Sequence, residues 1–224
     1  DFLYYCSTMG VTQIVNNLFS FADVANYFNN NAVVVDAVNA ASLQLYLQNR
    51  DRFGVDQAAT DYLQEMYGVY AQSVANPLVV DSTPGSATID VVKIIEVQYV
   101  ADGPWYAVKE FSPNEWNLAI TNPVTPPRIA RQGIYSQLIT NWTYDILPAG
   151  YIGVRVRALT LPVVADFTFV DNPTPVPTVV VTTDLNWAPD KDMKLTFMTM
   201  MNVALNVNSD ALYKFAVAQA ALTP

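Results

Sequence analysis

Between Leu195 and Leu205 the chain reads LTFMTMMNVAL, a run without a charged side chain. Wound into a helix it has almost no polar face, and a helix of that kind is buried on every side. Whatever else folds must therefore supply partners around it. Met198, Met200 and Met201 suit such a place, because methionine adapts to irregular neighbours. Asn186-Trp187-Ala188-Pro189 halts the chain ahead of this segment, and Asp190 is placed to cap a helix starting at Lys191. Asn206–Asn208 interrupts the helix, and Asp210–Leu222 resumes it with Leu212, Phe215 and Gln219 at helical spacing.

The partners are legible near the N-terminus. Thr12–Phe19 places Ile14, Val15, Leu18 and Phe19 at helical spacing, and Ser20–Phe28 reads as a second helix capped by Ser20. The strongest helical pattern runs from Ala32 to Phe53, with Val34, Val38, Ala41 and Leu45 making a wide apolar stripe and Leu43 and Leu47 beside it. Arg50 and Arg52 complement the dipole in its last turn, and Gly54 follows as the C-terminal cap. Asp56–Tyr70 is read as helical again, with Tyr62, Met66 and Tyr70 at steps of four, a stripe better explained by core packing than by a cofactor.

The pattern changes at Asn76-Pro77. After the Pro84-Gly85 turn signal the period shortens toward two, through Val92–Val100, an Asp102-Gly103 hairpin turn and Trp105–Phe111. Further strands are predicted over Arg128–Tyr135, Gln137–Tyr144, Ile152–Leu161, Ala165–Val170 and Val179–Thr183. In Ile152–Leu161 one face carries Ile152, Val154, Val156 and Ala158, and the other carries Gly153, Arg155, Arg157 and Leu159. A short helix sits among these strands. Ser112 caps it, Pro113 opens it, Glu115 completes a capping box, and Asn122-Pro123 ends it. Trp116 and Ile120 share one of its faces and are the expected packing contacts of the β domain. Asn172–Thr178 (NPTPVPT) reads as an extended linker. The expected fold is α+β: an N-terminal helical part (1–76) and C-terminal helices (186–224) packing together, flanking a central antiparallel β-sandwich or barrel-like insertion (77–185) with one short helix (113–121).

Composition narrows function more by exclusion than by assertion. Charged residues make up only 14% of the chain and hydrophobic ones 52%. Charge depletion with many aromatics characterises the buried centre of protein–protein interfaces, so much of the surface is expected to be covered by neighbours. A net charge of −9 argues against a general nucleic-acid binder, although Arg128 with Arg131, or Arg155 with Arg157, could line a local basic ring. There is no histidine, hence no histidine-based triad or metal ligand, and the single Cys6 provides neither a disulfide nor a thiolate cluster. No phosphate-binding glycine motif is present. Paired carboxylates such as Asp190 with Asp192, or Asp81 with Asp90, are what any acidic chain offers by chance. No catalytic residue, cofactor site or metal site is expected, and the protein is not expected to be an enzyme. Asn141-Trp142-Thr143 matches the glycosylation pattern, but so short a pattern in an Asn- and Thr-rich chain carries little weight. No apolar run is long enough to span a membrane, and the N-terminal FLYYC lacks the basic flank of a signal peptide.

In order and pattern these segments resemble the head-to-tail adaptor (connector or ring) proteins of tailed bacteriophages, especially crAss-like and related phages. The resemblance rests on VTQIVNNLF and AVNAASLQLYLQNRDRFG at the N-terminus, and on Glu115-Trp116-Asn117 followed by Pro126-Pro127 and Arg128-Ile129-Ala130. It continues through GVRVRALTLP and a proline-bearing crossover to Trp187-Ala188-Pro189 ahead of the C-terminal helical pair. Together these cover about Val11 to Leu222, and none is specific alone. The resemblance implies a virion protein assembled in the host cytoplasm: a homo-oligomeric, twelve-fold ring beneath the portal protein. It would touch further ring or tail proteins, let DNA pass through its lumen without sequence-specific binding, and have no membrane contact. Met198, Met201, Leu205, Leu212 and Phe215 are then the expected subunit or portal interface, and Arg128 and Arg131 the charges facing the lumen or DNA. The alternative is a β-sandwich attachment module recognising a receptor or glycan, with Trp105, Tyr106 and Trp142 exposed at a sheet edge.

Overall fold

The computed structural model describes residues 10–21, 31–72, 78–79, 91–100, 104–123, 134–138, 143–147, 153–170 and 177–223. The helices are α1 (Val11–Phe21), α2 (Asn31–Arg50), α3 (Gln57–Tyr62), α4 (Pro113–Thr121), α5 (Asp192–Asn206) and α6 (Asp210–Leu222). The strands are β1 (Tyr67–Gln72), β2 (Leu78–Val79), β3 (Val91–Val100), β4 (Tyr106–Phe111), β5 (Ile134–Leu138), β6 (Thr143–Leu147), β7 (Gly153–Thr160), β8 (Asp166–Val170) and β9 (Thr178–Thr183). The fold is α+β, and the chain forms two compact units: Asp1–Met66 with Pro162–Pro224, and Tyr67–Leu161.

The first unit is built around α5. As its composition requires, α5 is buried along most of its length, from Leu195 through Met200 and again at Val203 and Ala204. Helices α1, α2 and α6 all pack on it. Its few polar atoms mark the three directions. The Nδ2 of Asn17 on α1 donates to Thr196 Oγ1 at 3.4 Å. The Nδ2 of Asn202 donates to the Ala37 carbonyl of α2 at 3.2 Å. Lys194 Nζ donates to the carbonyls of Ala220 and Thr223, at the C-terminal end of α6, where a cation offsets the negative end of the helix dipole. The other partners are held in place by side chains from distant sequence. Asp184 Oδ1 accepts the Val11 backbone N–H at 2.7 Å, and a Cβ at Gly10 would lie 3.2 Å from the same carboxylate, so the small residue permits this close approach. Trp187 is buried, and its Nε1–H donates to Ser42 Oγ of α2 at 2.8 Å.

The hairpin of β8 and β9 pairs antiparallel and belongs to this helical unit. Two asparagines of α2 hold it by treating β8 as a neighbouring strand would. Asn39 donates to the Ala165 carbonyl at 2.9 Å and accepts the Ala165 N–H at 2.8 Å. Asn31 donates to the Phe167 carbonyl and accepts the Phe169 N–H, both at 3.1 Å. Buried Phe167, and Phe169 edge-on to Phe19 of α1, supply the apolar contacts. Side chains thus satisfy an edge that would otherwise leave backbone groups unpaired.

In the second unit the described strands run in the order β1-β7-β3-β4-β5-β6-β2. The pairs from β1 to β4 are antiparallel, as are β5–β6 and β2–β6. β4 and β5 are parallel, which corrects the fully antiparallel expectation. The reason is α4: parallel neighbours need a crossover, and the short helix between these strands provides it. The capping box of α4 is present, with the Glu115 N–H donating to Ser112 Oγ and Glu115 Oε2 accepting the Ser112 N–H. The buried side of the sheet includes Val97, Val108, Val156 and Ala158.

Several expectations change. Trp116 is only half-buried and Ile120 is exposed, so neither is the fully buried packing contact expected of it. The helix expected over Asp56–Tyr70 stops at Tyr62, and Tyr67–Gln72 is a strand, because pairing with β7 overrides the steps of four. The β unit therefore begins ten residues before residue 77. It ends at Leu161, since the Asn31 and Asn39 contacts draw β8 and β9 to the helices. Asp190 does not cap α5. It lies in a 3₁₀ turn, Pro189–Lys191, that leads into the helix, and it pairs with Lys191. The readings at Cys6, most of Ser20–Phe28, Pro84-Gly85, Asp102-Gly103, Pro126-Pro127, Arg128, Arg131, Asn141-Trp142 and residues 172–176 lie outside the described residues.

Candidate interaction surfaces

Helix α6 is apolar around most of its circumference but packs one side only. Ala216 and Ala220 are buried, Leu212 and Gln219 are half-buried, and all four lie toward α5. The opposite face is open. Ala211, Lys214, Ala218 and Ala221 run down its middle and are exposed. Tyr213 and Val217 flank them on one side, Phe215 and Leu222 on the other, with Leu222 79% accessible. Leu205, at the end of α5, is 60% accessible. Lys214 pairs with Asp210 one turn away, so this face carries no net charge of its own.

Of the expected interface residues, Leu205 and Phe215 reach the surface, with Phe215 also touching Phe197 edge-on at 6.4 Å between ring centroids. Met201 and Leu212 are half-buried. Met198 is buried within its own chain and so cannot meet a partner; it is a core residue on the side where Asn202 binds α2. Tyr213, Val217 and Leu222 were missed. The signal for them was the apolar composition of α6 itself, but which side α5 covers depends on packing.

A second apolar face belongs to the same unit. On α2, Asp36, Ala40, Leu43 and Leu47 follow each other at steps of four, three and four, which places them on one stripe. Leu43 and Leu47 are 44% and 47% accessible, and Asp36 is exposed.

The outward-facing residues of β7 do different work. The Arg155 guanidinium lies 4.4 Å from the centre of the Trp105 ring, and its Nε donates to Gln98 Oε1. Arg157 pairs with Glu96 at 3.3 Å. The two arginines proposed as a basic ring are thus engaged by their own sheet, one of them by a carboxylate. Elsewhere, burial pushes the Tyr46 phenol up to about 12, with Arg50 opposing and Asp51 reinforcing the shift, and its hydroxyl finds no hydrogen-bond partner among the described residues. Among the described residues no group of three or more Cys, Asp or Glu side chains is placed to hold a metal ion. No described helix is long and apolar enough to cross a membrane.

These features define an α+β protein whose helical unit, interrupted in sequence by a sheet unit, presents two separate apolar helix faces. No known protein family matches the chain, and comparison with characterised proteins finds no relative.

Proposed function

We propose that this chain is a structural subunit of a homo-oligomeric ring at the head-to-tail junction of a tailed bacteriophage, and not an enzyme. The observation that carries the reading is the outer face of α6. A helix with this composition is stable in water only when covered, and in this subunit α5 covers one side. Low overall charge and the resemblance in segment order support it. In this reading the helical unit packs between protomers and against the portal protein. The sheet unit, folded over as a sandwich-like wall, faces further ring or tail proteins, and DNA passes through the lumen without sequence-specific contacts, with Arg128 and Arg131 near its path. Assembly would be twelve-fold and would take place in the host cytoplasm before incorporation into the virion. The test is reconstitution with the portal protein from the same genome, followed by electron microscopy. A ring seated coaxially on one end of the portal supports the reading, whereas absence of any portal complex at micromolar concentrations contradicts it.

One observation favours a second reading, an attachment module: Trp105 is 37% accessible and sits against Arg155, an aromatic–cation pair of the kind that receptor- or glycan-binding surfaces use. Quenching of tryptophan fluorescence by a glycan, abolished in Trp105→Ala, would support this reading over the ring.

A further inference from the structure

Across β7, β3 and β4, one face of the sheet unit carries a chain of polar side chains in register. Glu96 stands opposite Arg157, Gln98 opposite Arg155, and Ala107 opposite Gln98, so all of them lie on one side of the pleat. Glu96 pairs with Arg157 and also accepts from Gln98 Nε2 at 2.8 Å. That fixes the buried amide of Gln98 and turns its Oε1 to the Nε–H of Arg155. The Arg155 guanidinium is thereby held over Trp105.

The cations of this face are not equivalent. Arg157 has the Glu96 carboxylate. Lys109 lies near Glu115, whose carboxyl is held low first by Ser112 and also by this ammonium. Lys93 is engaged as well. Arg155 differs: among the described residues it meets only the neutral Gln98 and Trp105, and its two Nη groups have no hydrogen-bond partner. It is half-buried, and a charge drawn out of water without a counter-charge is costly. We infer that Arg155, backed by Trp105, is a docking site for an Asp or Glu carboxylate on an acidic segment of a partner protein. The site goes beyond the ring reading and does not depend on it.

Three observations select a carboxylate carried by a protein. The first is the fork. With Nε taken by Gln98, the two Nη groups face outward together and match the two oxygens of a carboxylate. A phosphate backbone would need several available cations along its path. Here the neighbouring cations are occupied, and a chain carrying −9 repels a polyanion at longer range.

The second is openness. Trp105 is 37% accessible, Ala107 is exposed, and Val69 of β1, opposite Arg157, is 52% accessible. An exposed ion pair alone adds only about fivefold in affinity, so an open surface does not retain a small free acid. The carboxylate must arrive on a body that also covers Trp105 and Val69, which flank the arginine across three strand spacings, about 14 Å. The third is residue type. Tryptophan and arginine are the side chains most enriched at the energetic centres of protein interfaces, and here they touch each other. The charge-poor, aromatic-rich composition of the chain points to protein neighbours as well.

The test titrates full-length protein into two fluorescein-labelled hexapeptides, one alternating Leu and Glu and the other alternating Leu and Gln, with anisotropy as the readout. The wild type should bind the Glu peptide at least tenfold more tightly than the Gln peptide. Arg155→Gln should weaken the Glu peptide about tenfold and leave the Gln peptide unchanged, and Trp105→Ala should weaken both. Arg155→Lys keeps the charge without the fork and should also lose the preference for Glu. Gln98→Glu gives Arg155 a carboxylate from its own sheet while leaving the arginine in place. It should abolish the preference too, which keeps the site testable if the arginine variants fold poorly. Equal affinity of the wild type for the two peptides overturns the site. Wild-type binding by Arg155→Lys overturns it as well, since general charge attraction would then suffice. Displacement of the Glu peptide by hexathymidylate or by oligogalacturonate, at lower concentration than by unlabelled Glu peptide, would assign the face to nucleic acid or to an acidic glycan and overturn the protein partner.

Discussion

Replacing Trp187 tests how the helical unit is held together. The indole is 1% accessible and donates its only hydrogen to Ser42 at 2.8 Å, so it fastens the segment before α5 to the middle of α2. Trp187→Ala removes a fully buried large aromatic, a change that costs about 3–5 kcal/mol. Trp187→Phe keeps most of the packing but deletes the donor; the lost hydrogen bond and residual space together predict about 2 kcal/mol. Ser42→Ala leaves the buried indole N–H without its acceptor and should cost about 1–3 kcal/mol. A double-mutant cycle between the two should leave about 1 kcal/mol of coupling. Urea unfolding followed by far-UV circular dichroism, at one fixed protein concentration because assembly adds apparent stability, measures each value. Against a total stability of about 5–15 kcal/mol, Trp187→Ala should move the midpoint plainly. A loss below about 1 kcal/mol would refute the claim that this residue ties α2 to α5.

Other consequences are equally direct. Asn39→Ala strands the N–H and carbonyl of Ala165, so it should cost about 1–3 kcal/mol, and amide exchange at Ala165 should accelerate while exchange in α5 stays slow; unchanged exchange would mean the asparagine does not hold β8. Tyr46→Phe removes a buried hydroxyl without a described partner and should be neutral or stabilise by about 1 kcal/mol. The raised Tyr46 pKa has a definite sign. The unfolded phenol ionises near its ordinary value of 10.0 while the folded one resists to about 12, so stability should fall as pH rises between those values, and Tyr46→Phe should flatten that fall. Glu115 behaves oppositely. Its hydrogen bonds from the Ser112 hydroxyl and N–H hold the carboxyl below its usual range, so the capping contribution is present above the ordinary carboxylate pKa and is lost as pH falls through the depressed one. Glu115→Gln should remove that acid dependence from the amide exchange of α4.

The parts of the fold that could be read from sequence are those set by local chemistry. Ser112, Pro113 and Glu115 specify a helix start regardless of context, and LTFMTMMNVAL demands burial wherever it is placed. The alternation in β7 placed Val156 and Ala158 inward and Arg155 and Arg157 outward, with Leu159 buried despite lying on the arginine side. What failed depended on partners remote in sequence. Tyr67–Tyr70 looked helical until β7 claimed it, and α4 was read as an interruption when it is the crossover between parallel strands. The attachment of β8 to α2 rests on two asparagines whose role no local pattern announces. The interface suffered the same way. An apolar helix can be recognised from composition, but the side left uncovered is decided by α5, which is why Met198 was taken for surface while Tyr213, Val217 and Leu222 were overlooked.

The central claim is that this chain works as a ring-forming subunit, and the mass of the intact native protein tests it most directly. Native mass spectrometry at micromolar concentration should find a closed multiple of the 24.7 kDa chain, twelve copies in the form proposed. A stable monomer at that mass, unchanged as concentration rises, would contradict the claim.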